Sequence, residues 1–459
     1  MNLLTVAIDK MVANGQGLGR LADGRVIMVR GALPGETVRV RPVVEKKQYL
    51  EGEVHEVVAA STGRVEPRCP LFGRCGGCDF QHIAAREQLR LKRDVLLDIL
   101  VRTGGLDRAL VEKATTMPLA SPDPYYYRQR IRLHVDDRGR PGFLRHRSHR
   151  VEPLAHCYLA RPEINEVLGQ LAVRDRAATL FRQVDSLELL LNPDLGSVIL
   201  LLHRRDRPRP ADQAAARQLV EEIAGLATVL WSLDNIGLVD TLNRRVEGDA
   251  AVLLRQTLRS RAIGPEASEA PQKLVFTWEA GGFSQVNGAQ NANLIDCVVS
   301  WVKGRPARRV LDLYCGMGNF AVPLAHVAGE VLGLEVQGAA IRGARRNADL
   351  AGRTNCRFIK GAVEDGVAGL ASDGASFDTV VLDPPRQGAA TIVPLLPLLR
   401  PRRIIYISCD PATLARDLAG LVKADYSPAA IRLFDMFPQT HHLESAVLLE
   451  KQKKVKSGE

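Results

Sequence analysis

The feature that most constrains this chain is a unit repeated after Pro271: an apolar strand, a glycine or proline turn, then a helix. Val310-Leu311-Asp312-Leu313 runs into Tyr314-Cys315-Gly316-Met317-Gly318, and Val331-Leu332-Gly333-Leu334 ends in Glu335. Thr379-Val380-Val381-Leu382 ends in Asp383-Pro384-Pro385-Arg386, and Arg403-Ile404-Ile405-Tyr406-Ile407-Ser408 ends in Cys409. Apolar strands alternating with helices are buried on both faces and pair in parallel, and such sheets bind ligands at their carboxyl edge. Residues 265–459 are therefore expected to form one α/β domain of Rossmann-like type.

Three of these strand ends predict a cofactor. The glycines of Gly316-Met317-Gly318 let the backbone approach a ligand that a Cβ would block. Glu335, at the end of the next strand, can accept both hydroxyls of a ribose. The turn lacks the third glycine of a pyrophosphate-binding helix, and Asp312 offers a carboxylate to a cationic amino-acid end. Both features favour S-adenosylmethionine over a dinucleotide. At the fourth strand end, Cys409 precedes Asp410-Pro411, an N-cap followed by proline at the first helical position. A helix N-terminus favours a thiolate, so Cys409 is a candidate nucleophile. Downstream, His442 and Glu444 are both candidates for a base.

The rest of the chain points to nucleic acid. Residues 1–60 read as short strands, Leu3–Ile8, Arg25–Val29, Glu36–Val43 and Tyr49–Val58, split by Asn14-Gly15-Gln16-Gly17, Pro34-Gly35 and Glu45-Lys46-Lys47. That pattern predicts a small OB-like barrel carrying Arg39, Arg41, Lys46 and Lys47. Residues 61–264 form a central region in which helical spacing marks Leu89, Val95, Leu96 and Ile99; its part 87–120 is expected to pack on the C-terminal domain. Tyr125-Tyr126-Tyr127-Arg128-Gln129-Arg130-Ile131-Arg132 and Phe143-Leu144-Arg145-His146-Arg147 interleave rings that stack on bases with cations that hold phosphates. The net charge of +10 suits a polyanionic partner.

No secretory leader opens the sequence and no apolar run reaches the roughly 18 residues of a membrane span. A cytoplasmic, membrane-free monomer is expected. Of the eight cysteines, Cys69, Cys75, Cys78 and Cys157 cluster, and in that compartment clustered thiols serve metal binding or catalysis, with zinc and an iron–sulfur cluster both suited to four thiolates. Cys297, Cys315 and Cys356 are assigned to packing. Pro265–Pro271 reads as a polar connection and Lys451–Lys456 as a disordered tail.

Asp383-Pro384-Pro385-Arg386, Ser408-Cys409-Asp410-Pro411 and the run from Asp435-Met436-Phe437-Pro438 to Glu444 resemble the RNA uracil-5-methyltransferase family over nearly the whole chain. The resemblance implies a class I methyltransferase domain, with Cys409 as nucleophile and Glu444 as base. It places Gln285, Tyr314, Asn319, Glu335 and Asp383 around S-adenosylmethionine. Carbon 5 of uracil is too weak a nucleophile by itself, and adding a thiolate to carbon 6 activates it. The chain departs from the family at Ala362, where relatives often have asparagine. Family members acting on 23S ribosomal RNA carry this cysteine arrangement around a 4Fe–4S cluster, and the N-terminal barrel resembles a TRAM domain. The resemblance thus implies a central iron–sulfur α+β domain and 23S rRNA as partner. A tRNA uridine-5-methyltransferase is disfavoured by the four cysteines and the barrel. An RNA cytosine methyltransferase is disfavoured by Arg386, where a cysteine could stand. A non-catalytic RNA-binding or ribosome-assembly factor is disfavoured by the presence of both Cys409 and Glu444.

Overall fold

The computed structural model of the chain describes residues 3–234, 236–263, 270–305 and 307–452. The connection expected at 265–271 and the tail expected at 451–456 fall largely outside these residues. We number the strands of the C-terminal sheet β1 (Arg309–Leu313), β2 (Glu330–Glu335), β3 (Cys356–Lys360), β4 (Thr379–Leu382), β5 (Arg403–Ser408), β6 (Tyr426–Phe434) and β7 (Glu444–Lys451). Their spatial order is β3-β2-β1-β4-β5-β7-β6. The first five are mutually parallel, and β7 runs antiparallel between β5 and β6.

Strands β4 and β5 are buried along their whole length because helices cover both faces. Helices Gly288–Lys303 and Gly338–Leu350 pack on one face through Leu294, Val298, Ile341 and Ala344. Helices Ala85–Arg102, Val363–Ser372 and Pro411–Lys423 pack on the other through Leu96, Leu100, Val367, Leu414 and Leu418. The first of these comes from the region expected to dock here. The chain after it then lines the sheet edge: Thr116 and Leu119 donate to the carbonyls of Ile431 and Leu433, each at 2.8 Å.

The N-terminal strands close a five-stranded barrel around Val6, Ile8, Ile27, Val29, Val38, Val40 and Leu50. One barrel strand, Gly17–Arg20, occupies residues expected in part to be a turn. Its glycines allow close pairing, since a Cβ on Gly19 would lie 2.3 Å from the Ala7 carbonyl oxygen. The barrel arginines are not free cations: Arg39 and Arg41 pair with Glu56 and Glu53, each at 2.8 Å. These pairs are about half-exposed, so exchange for a phosphate costs little.

The central region builds a second seven-stranded sheet, flanked by helices Pro162–Ala172 and Pro210–Glu222. The boundary expected at 264/265 falls between the paired strands Leu253–Ser260 and Gln272–Glu279. Leu254, Leu258, Leu274, Phe276 and Trp278 of that hairpin share a core with the C-terminal sheet. Among the described residues no helix is long and apolar enough to cross a membrane.

In the central sheet, buried Glu188 accepts from the Arg130 guanidinium and, at 2.8 Å, contacts His203 Nε2. Burial would raise this carboxyl, but the hydrogen bonds from His203 and Arg130 and the Arg130 charge win and hold it at about 2. The folded value lies below the unfolded one of about 4.3. Its contribution to stability is therefore complete above that value and lost as the pH falls toward 2. We expect Glu188→Gln to remove this part of the acid sensitivity, read as a flatter dependence of the urea midpoint between pH 6 and pH 3.

Candidate active site

At the carboxyl edge of the C-terminal sheet, where strand order reverses between β1 and β4, a cavity of about 970 Å³ opens. Gln285, Tyr314, Glu335, Asp383, Cys409 and Glu444 all line it. Sheet register brings the last two together. Ser408 of β5 pairs with Ser445 of β7, so Cys409 just beyond β5 lies beside Glu444, the first residue of β7.

The loop after β1 is shaped to admit a ligand. Tyr314, Gly316 and Gly318 have φ of 60°, 54° and 84°. The strained tyrosine is the kind of backbone cost that surroundings must hold in place. A Cβ on Gly316 would meet no atom within 4 Å and would project into open space, whereas one on Gly318 would lie 2.9 Å from Val322. Glu335 accepts from the amides of Gly316 at 3.2 Å and Gln337 at 2.8 Å, which fixes its carboxylate at the cavity.

Two residues expected at the ligand fall outside the cavity lining. Asn319 does not line the cavity; its amide exchanges hydrogen bonds of 2.9 and 3.0 Å with Asn291, clamping the loop to helix Gly288–Lys303. Asp312 is fully buried beneath the loop rather than in the lining. Neither of its oxygens has a hydrogen-bond partner of full geometry, and burial, with Asp383 and Glu335 nearby, pushes its carboxyl well up.

The loop after β4 is fixed by Asp417, whose Oδ2 accepts from the Ala389 amide at 2.7 Å and the Tyr406 hydroxyl at 2.6 Å. Arg416 donates to the Gln387 carbonyl at 2.8 Å, leaving Arg386 in the cavity wall. Residue reasoning gave Arg386 no role, although it completes the Asp-Pro-Pro-Arg motif. Phe437, Phe283 and Glu364 also line the cavity and were not singled out. The first lies within the quoted run from Asp435; the other two carry no local signal.

The thiolate expected at Cys409 is not favoured in the free protein. Burial, then Glu444 and Asp383, push the thiol up to about 11, with Arg386 opposing. The helix N-terminus does not offset this, because the Asp410 side chain takes the amides of Ala412 and Thr413 at 3.0 and 2.9 Å. Glu444 is also raised, by burial and by Asp383, and Asp383 by burial. Cys409, Asp383 and Glu444 are thus all shifted toward their protonated forms. Iodoacetamide should alkylate Cys409 slowly at pH 7.5 and about tenfold faster per pH unit toward pH 10. Peptide mass spectrometry checks this; a plateau below pH 8 would show a thiolate already formed.

His442 is not in the lining; its ring stands 5.9 Å from Phe437 and 4.3 Å from His441, and burial lowers it to about 4. The loop leading to Glu444 is held from outside. Lys92 pairs with Asp435 at 2.8 Å, both nearly inaccessible, and donates to the Phe437 carbonyl at 3.0 Å. Gln88 Nε2 donates to Gln439 Oε1 at 3.0 Å, the Tyr127 hydroxyl donates to the Pro438 carbonyl at 3.0 Å, and Asp79 accepts from the His441 amide at 2.8 Å.

Cys69, Cys75, Cys78 and Cys157 converge beside this loop; all are free, and Cys157 acts electrostatically on each of the other three. The expected iron–sulfur site is not shown: among the described residues no group of three or more His, Cys, Asp or Glu is placed to hold a metal ion. Burial pushes the Cys75 and Cys78 thiols up, to about 11 and 12. The interleaved rings and cations are only partly on the surface: Tyr127 is buried, and Arg130 turns inward to Glu188.

Residues 257–452 match the family model described as tRNA (Uracil-5-)-methyltransferase, and residues 3–55 match the TRAM domain. The chain is 32% identical to a 23S rRNA (uracil(1939)-C(5))-methyltransferase of Aeromonas hydrophila, over 97% of this chain and 96% of that protein. A protein of the same name from Vibrio parahaemolyticus is also 32% identical, over 97% and 95%. The crystal structure of Pyrococcus abyssi tRNA (uracil-54, C5)-methyltransferase with S-adenosyl-L-homocysteine superposes with a TM-score of 0.69 at 24% identity, over 97% of this chain and 100% of that one. The fold is that of a class I methyltransferase with an N-terminal TRAM barrel. Identity at this level over almost the full length of both chains places the protein in the RNA uracil-5-methyltransferase family.

Proposed function

We propose that this protein transfers a methyl group from S-adenosylmethionine to carbon 5 of a uridine in 23S ribosomal RNA. The observation that carries the chemistry is the placement of Cys409 and Glu444 side by side in one cavity by the register of β5 and β7. The substrate class follows the relatives named for 23S rRNA, which match over nearly the full length.

The residues lining the cavity fit the cofactor: Glu335 would meet its ribose, and Gln285, Tyr314 and Asp383 would hold the remainder. When bound, S-adenosylmethionine supplies an electrophilic methyl group on a sulfonium. Ala362 leaves one wall apolar, and Glu364, reached by the Tyr314 hydroxyl at 3.3 Å, is the polar group beside it. Cys409 gives its thiol proton to solvent and adds through sulfur to carbon 6 of the uracil, and the carbon 5–carbon 6 electron pair moves toward the ring carbonyl as an enolate. Arg386 favours the anionic sulfur that this step needs. Once carbon 5 carries its methyl group, Glu444, having given its own proton to solvent, removes the proton there as a carboxylate. The electrons restore the ring double bond and expel the Cys409 thiolate.

The same proposal assigns a 4Fe–4S cluster to Cys69, Cys75, Cys78 and Cys157 within a central iron–sulfur domain. Its support is the convergence of four free thiols and the donors aimed at them: Gln81 Nε2 lies 3.1 Å from Cys78 Sγ, and the Gly77 amide 3.4 Å from Cys75 Sγ. A colourless, zinc-containing protein after anaerobic purification would overturn this assignment.

The test is transfer of tritiated methyl to 23S rRNA fragments and to tRNA transcripts, followed by nucleoside analysis. 5-Methyluridine in the 23S fragments is expected. Transfer to tRNA alone would redirect the substrate, and no transfer to either would overturn the enzyme reading.

A further inference from the structure

On the central domain beside the four cysteines, the Arg68 guanidinium lies over three tyrosine rings. It is 5.2 Å from the Tyr125 centroid, 5.4 Å from Tyr126 and 5.1 Å from Tyr158. His156 closes the group, its ring 4.8 Å from Tyr158 and 5.9 Å from Tyr126. Arg68 and His156 are exposed and the three tyrosines half-buried. Four arginines of the central region are paired with carboxylates: Arg130 with Glu188, Arg145 with Glu152, Arg147 with Glu51 and Arg161 with Glu163. Arg68 differs, because among the described residues its partners are rings and no carboxylate pairs with it. The charge remains available to an anion.

The backbone is set to present these rings. Tyr126 is held at φ 54°, and its amide donates to the Tyr158 carbonyl at 2.8 Å. A left-handed tyrosine is a local cost that persists where the surroundings impose it. The group also stands one layer from the reaction cavity. Tyr125 and Val286 pack on the same cluster around Tyr127, and Val286 lines the cavity. The next residue after Tyr126 is Tyr127, which bonds Pro438 on the loop to Glu444.

We propose that Arg68, Tyr125, Tyr126, His156 and Tyr158 form a docking subsite for an unpaired nucleotide beside the target uridine. The inference rests on the reading that the substrate is RNA. A uridine turned into a cavity leaves its neighbour without a stacking partner on one side. The rings offer that base a replacement face, and Arg68 holds its phosphate. Stacking tolerates any base, so the subsite fixes the path of the strand rather than its sequence.

The test uses the full-length protein and a single-stranded RNA with one uridine flanked by 2-aminopurine, titrated across a salt series. The wild-type protein should alter the 2-aminopurine fluorescence on binding. Arg68→Ala should weaken binding about tenfold and reduce the slope of log affinity against log salt by about 0.7, the loss of one phosphate contact on single-stranded nucleic acid. Tyr126→Ala should keep that slope and lose the fluorescence change. S-Adenosylmethionine binding, by calorimetry, should be unchanged in both. Should Arg68→Ala fail to fold by circular dichroism, Arg68→Lys carries the test: it should keep the slope and weaken the fluorescence change. Unchanged affinity, slope and fluorescence in these variants would overturn the subsite while leaving the RNA reading intact. Failure of the wild-type protein to bind RNA would overturn both.

Discussion

Glu444→Gln is expected to leave RNA covalently attached to Cys409 and to cut release of 5-methyluridine by about 10²- to 10⁴-fold, the usual range for one positioned acid–base group. Glutamine keeps the shape and the buried position, so addition of sulfur at carbon 6 can still occur. It cannot accept the carbon 5 proton, so the ring double bond cannot re-form and the thiolate cannot leave. A radiolabelled RNA shifted to protein mass on a denaturing gel is the readout. Cys409→Ala should give neither adduct nor product. Free product from Glu444→Gln at the wild-type rate would remove Glu444 as the base, and an adduct in Cys409→Ala would remove the cysteine as nucleophile.

The same substitution separates chemistry from folding. Burial and Asp383 hold the Glu444 carboxyl above its unfolded value. A carboxyl raised in the folded state loses stability as pH rises from the unfolded value toward the folded one. At pH 7 the native glutamate is therefore a cost, and Glu444→Gln should unfold at an equal or higher urea concentration. Lower stability would show that the carboxylate has a folding role beside its catalytic one.

Lys92→Met should cost about 3–5 kcal/mol, the range for removing one partner of a buried ion pair. The methionine fills most of the lysine stem but leaves Asp435 buried without its cation and the Phe437 carbonyl without its donor. The loop into Glu444 loses its anchor, so kcat should fall more than the binding of S-adenosylmethionine. Urea unfolding measures the first effect and single-turnover methyl transfer the second. Adding Asp435→Leu should recover most of the stability, since an apolar pair of similar volume replaces a buried ion pair at little cost. A loss below about 1 kcal/mol in the single variant would show that water reaches the pair.

The parallel sheet was legible because continuous apolar runs broken by glycine and proline are a local property of the chain. The barrel was legible for the same reason, apart from Gly17–Arg20. There Gly17, expected to end a turn, and Gly19 serve close strand pairing, which only the positions of Ala32 and Ala7 reveal. Apolar spacing marked a helix at 87–103, within the region 87–120 expected to pack on the C-terminal domain. That Lys92 on the same helix would be fully buried was not legible, because its partner lies 343 residues away. Asp312 and Asn319 sit in the motif that signals a cofactor, yet one underlies the loop and the other clamps it. A motif records which residues are near a ligand in sequence, not which way each side chain turns.

The sequence by itself determined the alternation of strands and helices, the glycine loop, the strand ends that carry Glu335, Asp383 and Cys409, and the family. These depend on short-range sterics and on the period of apolar residues. Only the tertiary structure decided that β7 inserts antiparallel beside β5 and so brings Glu444 to Cys409, and that the thiol rests protonated. It alone gathers Arg68 and its tyrosines near the reaction cavity. Register and desolvation are set by atoms far apart in the chain, and no local pattern of residues encodes them.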